Sequence, residues 1–107
     1  MSNVTEVTDS TFDKEVLQVS EPVVVDFWAP WCGPCRKLGP VISEIQDEFG
    51  EKIKVVKINT DENLKVANEY SISGLPSILF FKNGQAVERL VGLMSKSSIV
   101  SNIEKHL

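Results

Sequence analysis

The stretch Val23-Val24-Val25-Asp26-Phe27-Trp28-Ala29-Pro30-Trp31-Cys32-Gly33-Pro34-Cys35 decides how this chain is read. Its first six residues are apolar except for Asp26 and rich in β-branched side chains, as expected of a central strand covered on both faces. The only two cysteines of the 107 residues follow at once, three apart. A structural zinc site needs four ligands, and the sole histidine, His106, lies near the end of the chain, so no metal site is expected. Inert buried thiols fit poorly too, because Gly33 and Pro34 belong to a turn, which an apolar core segment would not place between its packing residues. A bridge across two residues restrains the unfolded chain very little, so the pair suits chemistry better than stability.

Working outward, Leu38, Val41, Ile42, Ile45 and Phe49 recur at helical spacing after the cysteines, with Gly50 at the place of a stop. Pro40 lies inside this helix, lacks the donor for the carbonyl of Arg36, and is predicted to kink it. Before the strand, after a short start at 4–7, Asp9 or Ser10 can cap a helix with Phe12, Val16 and Leu17 on one face. Beyond it, residues 53–58 read as a second covered strand and 62–70 as a helix capped by Thr60 or Asp61. Ser77–Lys82 and 86–91 flank Asn83-Gly84, a pair that accepts positive φ at both positions and so predicts an antiparallel hairpin. A closing helix from about Lys96 turns Ile99, Val100 and Ile103 inward. The alternation predicts an α/β fold, a mixed sheet flanked by helices on both faces, in a single domain over 1–107.

Composition narrows the function. With 42% hydrophobic and 24% charged residues the chain suits one compact domain. The net charge of -4 comes from interspersed acids and bases with no basic stripe, which speaks against nucleic-acid binding. No segment approaches membrane-spanning length. The opening residues have neither a basic start nor a long apolar stretch, so no signal or transit peptide is expected and the protein reads as not secreted.

Residues three apart at a helix start share a face, so small adjustments bring the two sulfurs into bonding geometry. Cys32, at the N-terminus, meets unpaired backbone donors and the positive end of the dipole, which favour a thiolate and make it the better nucleophile. Cys35, one turn in, is expected to be more buried and to resolve the mixed disulfide. Gly33 and Pro34 add no positive charge beside the thiolate, so the site is expected to reduce its substrates. Asp26 is a lone carboxylate in a covered strand, and burial should raise its pKa. Six residues before Cys32, it can lie beneath the cysteines and take or return a proton; alternatively it is a structural carboxylate held by a lysine or a backbone donor. Lys57 is the candidate partner, or else a surface lysine whose stem covers the sheet edge. Pro76, after Gly74-Leu75, stands where a cis peptide could turn the chain and present backbone groups.

Taken together, the quoted stretch from Val25 to Cys35, with Pro40, Lys57, Gly74-Leu75-Pro76, Asn83-Gly84 and Val91-Gly92, closely resembles the thioredoxin family nearly end to end. Ala29-Pro30 and Arg36 are similar to its cyanobacterial and plastid m-type branch. The resemblance implies a sheet of four or five strands, general reduction of protein disulfides by dithiol exchange, and no cofactor beyond the Cys32-Cys35 disulfide. It implies Cys32 as attacking and Cys35 as resolving thiol, Asp26 and Lys57 as a buried proton-handling pair, and Pro76 as a cis-proline facing the cysteines. It also implies a substrate groove of Trp31, Gly74, Leu75, Val91, Gly92 and Leu93, where an extended target segment pairs with backbone beside Pro76. Partners by resemblance are disulfide-bearing proteins and a thioredoxin reductase drawing on NADPH or ferredoxin, with the chain a monomer in a bacterial cytoplasm or plastid stroma. Ser71 stands where glycine is usual, Ser73 where arginine is frequent, and Leu93-Met94 where alanine and an apolar residue or proline are usual, changes that bear on substrate choice. Two other functions compete: a non-catalytic binding module using the same groove, and an oxidase or isomerase, which Gly33-Pro34 disfavours.

Overall fold

A computed structural model describes residues 3–107. Five strands form one sheet: β1 Thr5–Glu6, β2 Val23–Trp28, β3 Lys54–Asn59, β4 Ser77–Lys82 and β5 Gln85–Val91, in the order β1-β3-β2-β4-β5. β1, β3 and β2 run parallel, while β4 is antiparallel to β2 and β5 to β4. Three α-helices, α1 Gly33–Phe49, α2 Leu64–Glu69 and α3 Lys96–Lys105, and a short π-helix Asp13–Leu17 cover the faces. The mixed sheet is thus at the upper of the two expected strand numbers.

Side-chain alternation splits the core in two. Val24 on β2, Val55 on β3, and Ile78 and Phe80 on β4 pack with Leu38, Ile42 and Ile45 of α1 and Ile99 and Ile103 of α3. Val23, Val25 and Phe27, with Leu79 and Phe81, turn the other way onto Phe12, Val16 and Val66. There Phe12, Tyr70 and Phe81 form an aromatic trio with centroids 5.2 to 5.7 Å apart. Each fully buried Leu, Ile or Phe contributes about 1.5–3 kcal/mol by leaving water. Asp26 follows the alternation onto the α1 face, its Cα in register with Lys57 on one side and Ile78 on the other. The strand therefore delivers the one carboxylate to the face where α1 begins.

Turn chemistry matches the sequence at two places. Asn83 and Gly84 have φ of 52° and 78° between β4 and β5, and Gly50 closes α1 at φ 57°. The caps differ from expectation. Neither Asp9 nor Ser10 caps the first helix, which is a π-helix with Phe12 at its N-cap and no side-chain cap bond. Thr8 and Thr11 exchange hydroxyl and backbone bonds there instead, and Asp9 reaches across to accept from the backbone N–H of Lys65 and Val66. That carboxylate serves the start of α2, where donors would otherwise lack partners. α2 is accordingly not capped by Thr60 or Asp61 and is shorter than 62–70, with Asn63 at its N-cap. Thr60 Oγ1 is engaged by the Trp28 carbonyl, and Asp61 by the Trp31 indole. Pro40 is exposed in the interior of α1, which continues past it to Phe49.

Candidate active site

The loop from β2 enters α1 through Cys32, the N-cap, whose backbone is extended at φ -87° and ψ 107°. Its Sγ accepts from the backbone N–H of Cys35 at 3.2 Å, so the sulfur occupies the place a capping oxygen takes elsewhere. Gly33 and Pro34 supply the first two helical positions, where proline's missing N–H has no intrahelical partner to lose. The two cysteines are joined as a disulfide with Cα atoms 5.3 Å apart. Both are 4% exposed, under Ala29, Trp28 and Leu75. Cys35 is therefore not the more buried of the two in this state, because bonded sulfurs share one environment. The Arg36 guanidinium is held by the Pro30 carbonyl at 2.8 Å.

Below the disulfide lies Asp26. Its Oδ1 is buried with no hydrogen-bond partner among the described residues, and burial pushes its pKa from 3.8 up to about 7, against the lowering charge of Lys57. Lys57 shares its register position across the strands but makes no ion pair with it among the described residues. The ammonium instead lies 5.7 Å from the centroid of the Trp28 ring, a cation-π position. The expected Asp26–Lys57 pair is thus one of proximity and charge, without a direct bond. Asp26, Trp28, Cys35, Gly39 and Lys57 line one cavity of about 170 Å³, which puts the carboxyl and the Cys35 residue on a shared space. That volume admits a water between them.

Around the disulfide the backbone is laid open. The Leu75-Pro76 peptide is cis, and Leu75 packs on the cysteines. Pro76 is buried, and its carbonyl accepts from Gly92 N–H at 2.8 Å. Among the described residues, the N–H and C=O of Leu75 have no hydrogen-bond partner. Gly74 fits closely against β5, where an added Cβ would stand 3.1 Å from Val91 Cγ1. Trp31, Val91 and Leu93 are large apolar side chains left exposed. Trp31 Nε1 donates to Asp61 Oδ1 at 3.2 Å, and Trp31 and Leu75 share a cavity of about 280 Å³ with Thr60, Leu64 and Ile72. Asp61 and Leu64 were not foreseen from sequence, since nothing local marks a residue that meets Trp31 across the fold. No group of three or more His, Cys, Asp or Glu that could hold a metal is found among the described residues.

Comparison with known proteins agrees with this geometry. The family model described as Thioredoxin matches residues 3–105. The chain is 53% identical to Thioredoxin 1 of Nostoc sp. and 50% identical to Thioredoxin 1 of Synechococcus elongatus, each over 107 residues and the whole of both chains. It is 52% identical to the chloroplastic Thioredoxin M-type of Chlamydomonas reinhardtii over 101 residues, 94% of this chain and 72% of that one. With its cysteines at disulfide distance at the head of α1, the chain belongs to the thioredoxin family and is a dithiol-disulfide oxidoreductase.

Proposed function

We propose that this chain acts as a single domain and a monomer that reduces disulfides of several proteins, with Cys32 as nucleophile and Cys35 as resolving thiol. The observation that carries the reading is the Cys32 sulfur at the N-cap of α1, 3.2 Å from the Cys35 N–H. In the reduced protein the Cys32 thiolate, favoured by that donor and by the helix dipole, attacks one sulfur of a target disulfide. A mixed disulfide forms and the first target thiolate leaves. Cys35 gives its proton to Asp26, directly or through water, and attacks Cys32 Sγ; the second target thiolate leaves and the Cys32-Cys35 disulfide closes. Two electrons pass from the dithiol to the target, and the target thiolates take up two protons. A carboxyl with a pKa of about 7 suits both directions of proton transfer at neutral pH, and Lys57 tunes it by charge. Gly33 and Pro34 keep positive charge away from the thiolate, which favours the reducing direction.

The N–H and C=O of Leu75, unpartnered among the described residues and beside Pro76, suit pairing with an extended target segment, flanked by Trp31, Gly74, Val91, Gly92 and Leu93. Backbone pairing gives affinity with little side-chain selectivity, as several targets require. Members of the family are re-reduced by a thioredoxin reductase; for this chain NADPH or ferredoxin is the proposed electron source, with no cofactor beyond the disulfide. Cyanobacterial and chloroplastic relatives support a cytoplasmic or plastid-stromal site of action, and no helix of the described residues is long and apolar enough to cross a membrane.

Equilibration with glutathione tests the direction. The dithiol is expected to reduce glutathione disulfide at equal concentrations, and a chain that oxidises glutathione instead is an oxidase or isomerase. Replacing both cysteines by serine separates enzyme from binding module, because only a module keeps its function.

A further inference from the structure

Helix α2 ends in a motif whose last two carbonyls are met from outside it. Ile72 N–H donates to the Ala67 carbonyl at 2.9 Å and Ser71 N–H to the Asn68 carbonyl at 3.1 Å, the two bonds of a Schellman ending. Ser71 holds the left-handed position at φ 54°, where a side chain is disfavoured and glycine is at ease. The carbonyls of Tyr70 and Ser71 then point out of the helix end. Both are taken by one side chain from another element: Arg89 of β5 donates through Nη2 to Tyr70 and through Nη1 to Ser71, the latter at 3.5 Å. A cation at a helix C-terminus also matches the dipole.

The segment held this way runs directly into Gly74-Leu75-Pro76. β5 and the residue after it meet it twice more, through Val91 against Gly74 and through Gly92 N–H to the Pro76 carbonyl. Arg89 and Val91, two apart on the strand, lie on the same face of β5. Arg89 is exposed, and its side-chain hydrogen bonds go to the Tyr70 and Ser71 carbonyls and not to the cysteines or Asp26.

We propose that Arg89 is a positioning residue for target binding: it clamps residues 70–71 from β5 and so fixes the Leu75 backbone in the orientation that accepts the target segment. This rests on the reading of Leu75 as the docking edge. The clamp touches neither sulfur nor Asp26, so it acts on recognition and leaves the exchange chemistry alone.

The test compares the parent with Arg89→Gln and Arg89→Lys by amide hydrogen exchange at Ser71 and Ile72, whose N–H groups are hydrogen-bonded, and by kinetics on a protein disulfide, insulin, and on a small aromatic disulfide. For Arg89→Gln, exchange at these amides is expected to accelerate and KM for insulin to rise roughly threefold to tenfold, with kcat and the small-disulfide rate unchanged. Arg89→Lys, which keeps the charge and loses the two-pronged donor, should lie between. Unchanged exchange in Arg89→Gln overturns the clamp itself. Faster exchange with an unchanged KM overturns the docking reading and the proposed purpose of the clamp with it. Equal slowing on both disulfides means that Arg89 supports the whole fold, which also overturns the proposal.

Discussion

Helices α1 and α3 start alike. In each, the N-cap side chain accepts from the backbone N–H three residues on, Cys32 Sγ from Cys35 and Ser95 Oγ from Ser98, both at 3.2 Å. In neither does an acidic residue stand in the first turn. What differs is the surroundings. Cys32 is buried under Trp28 and Leu75, above the buried carboxyl of Asp26. Ser95 is exposed among the hydroxyls of Ser97 and Ser98, and Lys96 opens its helix. Capping geometry is generic; chemistry arises where the cap atom is a sulfur, a second sulfur stands one turn on, and a titrating group lies beneath.

The largest expected effect removes the sulfur and keeps the cap. Cys32→Ser leaves a good capping oxygen but should abolish disulfide reduction, because a hydroxyl is not ionised at neutral pH. Cys35→Ser should still attack and then remain joined to its target as a mixed disulfide for want of a resolving thiol. The check is non-reducing electrophoresis after mixing each variant with a protein disulfide. Trapping by Cys32→Ser in place of Cys35→Ser would reverse the two roles.

Next in size is the carboxyl below α1. With a folded pKa of about 7 and an unfolded value of about 3.9, Asp26 binds more protons when folded, so stability falls as pH rises through the window between the two. Above that window the loss amounts to about 4 kcal/mol, some 1.4 for each pKa unit. Asp26→Ala removes the term and opens a cavity whose cost does not depend on pH. Its stability relative to the parent is therefore expected to improve between about pH 4 and about pH 8, while its thiol exchange slows. Denaturant melts at both pH values measure this. A relative stability that stays flat across the window would mean a solvated or well-paired carboxyl and would remove the basis for proton transfer.

These effects also mark how much could be read beforehand. The covered strand with its single carboxylate, the cysteines at the next helix start and the Asn83-Gly84 hairpin are local patterns, and each appears in the structure where its residues predict it. The caps of the first helix and of α2 were misplaced because Asp9 serves a helix more than fifty residues away, which no neighbouring residue signals. The same holds for Lys57, whose register with Asp26 follows from strand periodicity, whereas its position over the Trp28 ring depends on packing. Asp61 against Trp31 and Arg89 against Tyr70 and Ser71 are likewise meetings of distant segments. Periodicity and turn chemistry act within a few residues; side-chain partners across the fold are fixed only when the layers close.

A smaller effect belongs to the second helix start. Ser95→Ala leaves the Ser98 N–H without its side-chain acceptor and should cost about 1 kcal/mol of stability, the usual worth of an N-cap. The equilibrium with glutathione should not move, since α3 touches neither sulfur. A thermal melt read alongside that equilibrium checks both halves. A shift in the redox equilibrium would show that the two helix starts are coupled through the core they share.

Smallest of all is the charge beside that cap. Lys96 stands in the first turn of α3, where the dipole repels a cation. Two carboxylates of α1 answer it, Glu48 in a close ion pair and Glu44 at 3.5 Å, and hydrogen bonding to Glu48 holds the Lys96 ammonium above the usual lysine range. Both glutamates are exposed and Lys96 partly so, so salt screens the pairing and the repulsion alike. Lys96→Ala should therefore destabilise less than Ser95→Ala in dilute buffer, and the loss should fade in concentrated salt, where pairing and repulsion are both screened. Melts of parent and variant across a salt series decide the matter. A loss that persists undiminished in high salt would mean that Lys96 acts by packing its stem between α1 and α3, and that this helix start, like the other, depends on what lies beside it more than on its charge.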